Sequence, residues 1–179
     1  MDNDKSIFIF DCFTLEQVKE INKKIKLNIT SEQDPSWHAS NVSKIGKFYH
    51  VPCYPLMELI HPWLWESQRV NQDVFGYDIY WQFHLDILNY NIYNKAGEYG
   101  WHMDGITTPA RDTKLTCLLN LSEEPYEGGD FFVIGRNEKQ KFNSGMGLIV
   151  NSLMAHKVTP VTKGERITLT YWAYGPSWS

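Results

Sequence analysis

The sequence predicts a mainly β domain with N-terminal helices, in which the strands form a β-sandwich or jelly roll. Beyond about residue 78 the chain consists of short apolar runs separated by turn signals rich in glycine, asparagine and serine. Many short strands at such spacing are typical of sandwiches and jelly rolls. Helical periodicity is confined to roughly the first 75 residues.

Composition indicates one domain. The chain has 179 residues, 42% hydrophobic and 15% aromatic, which is enough for one sizeable core. No linker divides it, so we expect a single domain over residues 1–179, with a helical part at about 1–75 and a jelly-roll core at about 78–176. A net charge of −4 without a long basic run disfavours nucleic-acid and membrane partners.

Cysteine usage and the N-terminus predict a cytoplasmic protein. Cys12, Cys53 and Cys117 are odd in number and far apart, which makes a disulfide framework improbable and suits free thiols in a reducing compartment. The first residues lack the basic and apolar regions of a signal peptide.

The N-terminal part combines a short strand with two helical segments. Residues 6–11 alternate as a strand does, and Thr14 with Gln17 forms a capping-box pattern before a helix. We expect a second helical segment from Pro52 to Asn71, interrupted at Pro62.

From Ile79 the periodicity changes to two residues. One apolar phase runs from Ile79 to Ile87 and a shifted phase begins at Leu88, which predicts one long strand with a bulge or bend. Further strands are expected at 114–121, 130–134, 147–151, 156–161 and 166–173.

A histidine and a carboxylate two residues apart follow this region. In an extended backbone, His102 and Asp104 point to the same face. His156 is the candidate for a third ligand, although a lone histidine is more often part of a core. Two histidines and one carboxylate on one face of a metal are the ligand set of non-haem Fe(II) oxygenases.

A second His-x-Asp triplet, His84-Leu85-Asp86, competes with the first. It lies within the regular alternation, where a solvent-facing or hydrogen-bonded role is sufficient. His102 and Asp104 instead follow a turn rich in tyrosine and glycine and precede Gly105. We therefore interpret His102 and Asp104 as the ligands and His84 and Asp86 as a chance match.

Arg166 is the candidate anion-binding residue. Pro160 and Gly164 indicate a hairpin whose second strand carries Arg166, Thr168, Thr170 and Trp172 on one face. The arginine fork can hold a carboxylate in a bidentate manner. A buried arginine without a partner would be costly, so an acidic small molecule or a protein carboxylate is implied.

These motifs together resemble the 2-oxoglutarate/Fe(II)-dependent dioxygenases, most closely the prolyl-4-hydroxylase-like branch with its PKHD-type hydroxylases. The resemblance covers roughly residues 80–178, and the motifs that carry it are Tyr93, Gly97, Tyr99, His102, Asp104, the segment 126–130, the segment 156–166 and Trp172. It implies a double-stranded β-helix (jelly roll) in which His102, Asp104 and His156 hold iron and Arg166 binds the distal carboxylate of 2-oxoglutarate.

The same resemblance implies the remaining roles. Tyr93 matches a tyrosine that contacts the cosubstrate, and strand alternation adds Thr168 to this group. The cofactors would be Fe(II), 2-oxoglutarate and O2, with ascorbate as a possible addition. The expected reaction hydroxylates a C–H bond and releases succinate and CO2. Apolar Trp101, Met103, Leu118 and Trp172 are candidates for shielding the site or for plain core.

Several functions remain open at this point. We expect hydroxylation of a prolyl residue in a protein or peptide, and the alternative is a free amino acid or other small molecule. An AlkB-like nucleic-acid dealkylase is less favoured, because that branch has an arginine and an asparagine where this chain has Trp172 and Thr168. A cupin would show His-x-His, and a jelly-roll binding module would have lost a ligand. Loops 34–50, 66–78 and 105–113 are expected to select the substrate.

Overall fold

The computed structural model describes residues 6–34, 41–105 and 111–178. Its helices are α1 (Leu15–Lys26) and α2 (Met57–Val70), with a 3₁₀ turn at Tyr54–Leu56 and a π-helical turn at Asn71–Phe75. The strands are β1 (Ile7–Asp11), β2 (Ser31–Gln33), β3 (Lys44–Ile45), β4 (Lys47–Pro52), β5 (Ile87–Tyr93), β6 (Glu98–His102), β7 (Asp112–Asn120), β8 (Glu127–Gly128), β9 (Phe131–Val133), β10 (Met146–Asn151), β11 (His156–Val158), β12 (Val161–Lys163) and β13 (Arg166–Gly175).

Two antiparallel sheets face each other and form the predicted jelly roll. The larger has the order β1-β10-β7-β13-β5-β4-β2, and the smaller has the order β3-β6-β11-β9. A short pair, β12 with β8, closes one end. The prediction of a mainly β fold with N-terminal helices is confirmed, as are the strands expected at 114–121, 130–134, 147–151 and 166–173.

The three central strands of the larger sheet have one apolar face and one polar face, and both faces are buried. One face of β5, β7 and β13 is apolar and joins the helices in the main hydrophobic core, with members such as Tyr90, Leu119 and Leu169. The opposite face turns toward the smaller sheet and carries buried polar residues, among them Asn91 and Thr168. The space between the sheets is therefore polar over these strands, and a second apolar cluster fills it elsewhere.

Helix α1 forms as its sequence predicts. The Thr14 hydroxyl accepts a hydrogen bond from the Gln17 amide, and the Gln17 side chain accepts one from the Thr14 amide, which completes the capping box. Buried Asn22 fastens the helix to the sheet, since its amide donates to the Leu121 carbonyl at 2.8 Å and its oxygen accepts from the Tyr90 hydroxyl at 3.0 Å.

The expected interruption at Pro62 is wrong, because α2 runs continuously through that residue. Proline lacks the amide hydrogen that would bind the carbonyl four residues earlier, which here belongs to Glu58. The His61 imidazole compensates for this loss, with Nδ1 3.0 Å from the Glu58 carbonyl oxygen. A side chain thus replaces the missing backbone donor.

The long strand expected from Ile79 is only half correct. Residues 76–86 are irregular, and the strand begins at Ile87, where the apolar phase shifts. The earlier alternation arises because Trp81 and Phe83 pack on Tyr171 of β13, with ring centroids 6.0 and 5.5 Å away. Aromatic packing of a loop produced a strand-like pattern.

The hairpin expected around Pro160 and Gly164 is also corrected. The strand from His156 ends at Val158, and β11, β12 and β13 belong to three different sheets. The chain crosses from the smaller sheet to the larger one here. Arg166 consequently lies across the sandwich from His156 rather than beside it.

No helix in the described ranges combines the length and hydropathy needed to cross a bilayer. The three cysteines are free thiols, and Cys53 and Cys117 are buried.

The turn before β10 yields a stability prediction. Gly145 has a φ of +78°, and a Cβ there would lie 2.0 Å from the Phe13 carbonyl oxygen. Gly135 has a similar φ of +81° but open space around it. We expect Gly135→Ala to lower the free energy of unfolding by about 1–2 kcal/mol, the cost of a left-handed backbone, and Gly145→Ala to lower it by about 1–3 kcal/mol more through overpacking.

Urea denaturation of the two variants measures this difference. Equal losses would show that the contact of Gly145 with Phe13 contributes nothing.

Candidate metal centre

The end of β6 and the start of β11 bring the three candidate ligands together. His102 is the last residue of β6, His156 is the first of β11, and the two are direct cross-strand partners. Asp104 follows beyond the strand end, where its amide donates to the Ser152 carbonyl at 3.0 Å. The relative position of His102 and His156 therefore depends on strand register, and the position of Asp104 depends on a loop contact.

The three side chains can serve one metal ion. One ligand atom from each of His102, Asp104 and His156 lies within 4.8 Å of the others. The Nε2 atoms of His156 and His102 are 3.4 and 3.7 Å from the two Asp104 oxygens. Two imidazoles and one carboxylate converging from one side match the facial arrangement of non-haem Fe(II) sites.

Hydrogen bonds fix which nitrogen of each histidine faces the cluster. His102 Nδ1 lies 2.7 Å from the Gly100 carbonyl oxygen, and His156 Nδ1 lies 2.9 Å from that of Met154. A carbonyl can only accept, so both Nδ1 atoms carry hydrogen, and in the neutral imidazoles the Nε2 atoms keep a lone pair for a metal. The Thr116 hydroxyl orients the third ligand by donating to Asp104 Oδ2 at 2.8 Å.

The electrostatics of the cluster favour binding of a cation. Burial lowers the pKa of His102 to about 4. Burial alone would raise the pKa of Asp104, but the nearby His156, His102 and Thr116 hold that pKa well below its usual range. Burial likewise opposes charge on His156, yet the adjacent Asp104 raises its pKa. The carboxylate thus stays ionised at neutral pH.

Arg166 lies across the same cavity and is almost completely buried, with 1% of its surface exposed. Its Nε and Nη2 atoms have no hydrogen-bond acceptor among the residues that the structure describes. The guanidinium carbon lies 5.3 Å from the ring centre of Tyr93 and 5.8 Å from that of Phe142. Two unpartnered donors on a buried cation are suited to an anionic ligand.

The Gly128-Gly129 turn makes room for this arginine. Both glycines have positive φ, and a Cβ on Gly129 would lie 2.8 Å from the Arg166 Cδ. The shape of the turn is thus explained by the side chain it accommodates, since only glycine fits both demands.

The cavity between the sheets is small. The space open to the centre of a water molecule is about 40 Å³, which is more than the roughly 10–15 Å³ that one bound water requires. Its walls come from both sheets: Lys44, Asn89, Asn91, Tyr93, Tyr99, His102, Asp104, Thr116, Leu118, Phe131, His156, Val158, Arg166, Thr168, Thr170 and Trp172.

Every site residue predicted from the sequence lines this cavity, including Tyr93 and Thr168. Burial raises the pKa of Tyr93 to about 12, so its hydroxyl stays protonated. The competing triplet lies elsewhere: His84 is exposed, and Asp86 accepts a hydrogen bond from the Tyr171 hydroxyl at 2.7 Å.

Only two of the four apolar residues predicted to shield the site lie in the cavity. Leu118 and Trp172 line the cavity, whereas Trp101 and Met103 are 46% and 62% exposed. These two flank His102 in an extended segment, so they point away from the face that His102 occupies.

Sequence reasoning missed several residues of the site. Asn89 and Asn91 alternate with apolar residues of β5, and this alternation was the available signal. Thr116 has the same signal in β7. Lys44 lies in a region read as loop, and its ammonium is 4.3 Å from the Phe48 ring centre and 4.9 Å from that of Tyr99. Nothing in the local sequence marks it.

The loops expected to select the substrate are only partly described. Residues 35–40 and 106–110, which belong to the first and third of them, lie outside the described ranges.

Comparison with known proteins supports the geometry. Residues 88–174 match the family model of the 2OG-Fe(II) oxygenase superfamily. A PKHD-type hydroxylase of Alteromonas mediterranea is 38% identical over 93 residues, and one of Stutzerimonas stutzeri is 32% identical over 92 residues. Each match covers 46% of this chain and 41% of the relative, so less than half of the relatives' length is represented.

Solved structures share the fold at low sequence identity. The viral collagen prolyl hydroxylase of Paramecium bursaria Chlorella virus-1, solved with 2OG, has a TM-score of 0.73 and 16% identity, and the match covers 97% of this chain and 98% of that one. A Pseudomonas putida prolyl-4-hydroxylase has a TM-score of 0.68 and 14% identity, with 97% and 94% covered.

A prolyl hydroxylase of Trichoplax adhaerens, solved with a hypoxia inducible factor oxygen degradation domain peptide fragment, has a TM-score of 0.68 and 16% identity, with 96% and 84% covered. The family model and the PKHD-type relatives agree with the metal-binding geometry and the jelly roll. Over residues 88–174, this chain is similar to the 2OG-Fe(II) oxygenase superfamily.

Proposed function

We propose that this protein is an Fe(II)- and 2-oxoglutarate-dependent hydroxylase that acts on a prolyl residue of a protein or peptide. One observation carries the proposal: the three convergent ligands and the buried, unpartnered guanidinium of Arg166 line the same cavity. A metal site alone is compatible with many reactions. A metal site that faces a buried guanidinium able to bind a carboxylate suits a dicarboxylic cosubstrate.

The residues present fit the iron. His102 and His156 offer Nε2 lone pairs, and Asp104 offers an ionised carboxylate oriented by Thr116. When bound, Fe(II) supplies the oxidative chemistry by which the family couples decarboxylation of 2-oxoglutarate, to succinate and CO2, to hydroxylation of a C–H bond. The protein's contribution is to fix the donors, to orient the cosubstrate and to limit access of water.

The residues also fit 2-oxoglutarate. Arg166 would hold the distal carboxylate through its unpartnered Nε and Nη2 donors. Thr168, two residues further along the same face of β13, would add a hydroxyl, and the protonated Tyr93 would contact the cosubstrate from β5.

The proposed substrate follows from the relatives. PKHD-type hydroxylases match in sequence, and prolyl hydroxylases, one of them bound to a peptide fragment, match in fold. We place the reaction in the cytoplasm, in keeping with three free thiols, and include ascorbate as an accessory reductant. An anaerobic titration with Fe(II) and 2-oxoglutarate, followed by a screen for succinate release over proline-containing peptides and free amino acids, tests this proposal.

The screen has clear outcomes. Succinate release that depends on a peptidyl proline supports the full proposal, and release that depends only on a free amino acid corrects the substrate. Absence of 2-oxoglutarate binding in the presence of Fe(II) would refute the cosubstrate assignment.

The metal assignment predicts a difference between the two His-x-Asp triplets. His102→Ala or His156→Ala should weaken Fe(II) binding by more than the roughly 10–100-fold that loss of an outer partner costs, because each removes a direct ligand. His84→Ala is the matched control, since His84 is exposed and outside the cluster. Anaerobic calorimetry measures the affinities, and a loss of binding in His84→Ala as large as in His102→Ala would contradict the assignment.

Replacing Arg166 is expected to stabilise the protein and to weaken its use of 2-oxoglutarate. Arg166→Met removes a buried charge without a described acceptor, so the metal-free protein should gain about 1 kcal/mol or more in unfolding free energy. The KM for 2-oxoglutarate should rise roughly 10- to 100-fold, because hydrogen bonds to a charged group contribute about 1.5–3 kcal/mol.

Arg166→Lys is the control for this variant, since it keeps the charge but loses the planar fork, and its KM should lie between those of the other two proteins. Denaturant unfolding and steady-state kinetics give both quantities. A variant that is less stable and unchanged in KM would assign Arg166 a structural role instead.

A further inference from the structure

The wall of the cavity beside Arg166 contains a buried group of one amide and two hydroxyls. Asn91 of β5 is the direct cross-strand partner of Thr168 of β13 and the diagonal neighbour of Thr170. All three line the cavity, with exposed fractions of 7%, 1% and 4%. Polar side chains this deeply buried need defined hydrogen bonds.

The hydrogen bonds of this group all run in one direction. The Asn91 amide nitrogen donates to the Thr170 hydroxyl oxygen at 2.9 Å and to the Thr168 hydroxyl oxygen at 3.3 Å. Both amide hydrogens are thereby used. A hydroxyl that accepts a hydrogen bond still has one hydrogen to donate. Among the described residues, neither threonine side chain donates to a protein acceptor.

The carboxylate in the cavity does not take up these hydrogens. Asp104 already accepts from Thr116 and lies beside the two imidazoles. The cavity also contains the two unpartnered donors of Arg166. On this side the wall consequently offers more donors than acceptors, which suits a ligand with several negatively charged oxygens.

We infer that Asn91 is a positioning residue: by donating to both threonine hydroxyls, it directs their hydrogens into the cavity as donors for the oxygens of the dicarboxylic acid that Arg166 holds. An aspartate at this position could only accept, so both hydroxyls would turn toward it and stop donating to the ligand. This inference rests on the proposed function, because the dicarboxylic acid is the proposed cosubstrate.

The test is calorimetric titration of the full-length, Mn(II)-loaded protein with 2-oxoglutarate. Asn91→Asp is expected to weaken 2-oxoglutarate binding by about 10-fold or more, since it removes hydrogen bonds to a charged ligand. Asn89→Asp is the matched control. Asn89 lines the same cavity and precedes Asn91 by two residues, but its amide donates to Gln33 at 2.8 Å.

The control separates charge from orientation. Asn89→Asp places the same negative charge on the same strand face, opposite Thr170 in register, at a residue whose amide donates to Gln33 and to neither threonine. Its loss of affinity should therefore be clearly smaller than that of Asn91→Asp. Equal losses in the two variants would mean that repulsion explains the effect, and the role of Asn91 would be refuted.

A double-mutant cycle tests the route through the threonines. In a Thr168→Val/Thr170→Val background the hydroxyls are absent, so Asn91→Asp should cost no more than the Asn89→Asp control does. Full additivity would overturn the inference, because residues acting through one another are non-additive. The Thr168→Ser/Thr170→Ser protein keeps both hydroxyls and should restore the sensitivity to Asn91→Asp.

Failure of this inference is distinguishable from failure of the proposed function. A wild-type protein that binds no 2-oxoglutarate refutes both. A wild-type protein that binds 2-oxoglutarate, beside an Asn91→Asp protein that binds it equally well, refutes only the role of Asn91. Should Asn91→Asp not fold, Asn91→Ala replaces it in the cycle and should lose affinity only where the threonine hydroxyls are present.

Discussion

The buried guanidinium of Arg166 is the constraint on which the rest of the cavity depends. A cation that is 1% exposed, with two donors lacking a described acceptor, costs several kcal/mol unless something compensates it. The guanidinium lies close to two aromatic rings, those of Tyr93 and Phe142. The two glycines at 128 and 129 leave space for the side chain. The fold thus keeps a buried cation with unpaired donors, which the binding of an anion would stabilise.

This constraint explains why the space between the sheets is polar over the three central strands. A jelly roll usually buries apolar side chains between its two sheets. Here β5, β7 and β13 direct their apolar faces toward the helices and their polar faces toward the smaller sheet. The main hydrophobic core therefore forms between these strands and the helices. The space between the strands and the smaller sheet can then hold polar residues. Asn22 of α1, bonded to Tyr90 on the apolar face of β5, shows how closely this outer layer is tied to the strands.

Much of the fold and most of the candidate site could be predicted from the sequence. Alternation gave the strands, the capping box gave α1, and the order of His102, Asp104, His156 and Arg166 gave the site. Pro62 was misread because the donor that compensates for it, the His61 imidazole, acts through a side chain rather than through propensity. The segment from Ile79 was misread because Tyr171, far along the chain, imposes its apolar period.

The residues that were missed share one physical reason. Hydrophobic periodicity assigns the apolar face of a strand to the interior and the polar face to solvent. In β5 both faces are buried, since Leu88 and Tyr90 meet the helices while Asn89 and Asn91 meet the cavity. The polar residues that alternate with apolar ones along such a strand then lie in the cavity wall and not on the surface. The threonines of β13 were recognised only because Arg166 marked their face, and no such marker exists for the asparagines. A buried charge in one strand is therefore the best guide to the polar residues of its neighbours.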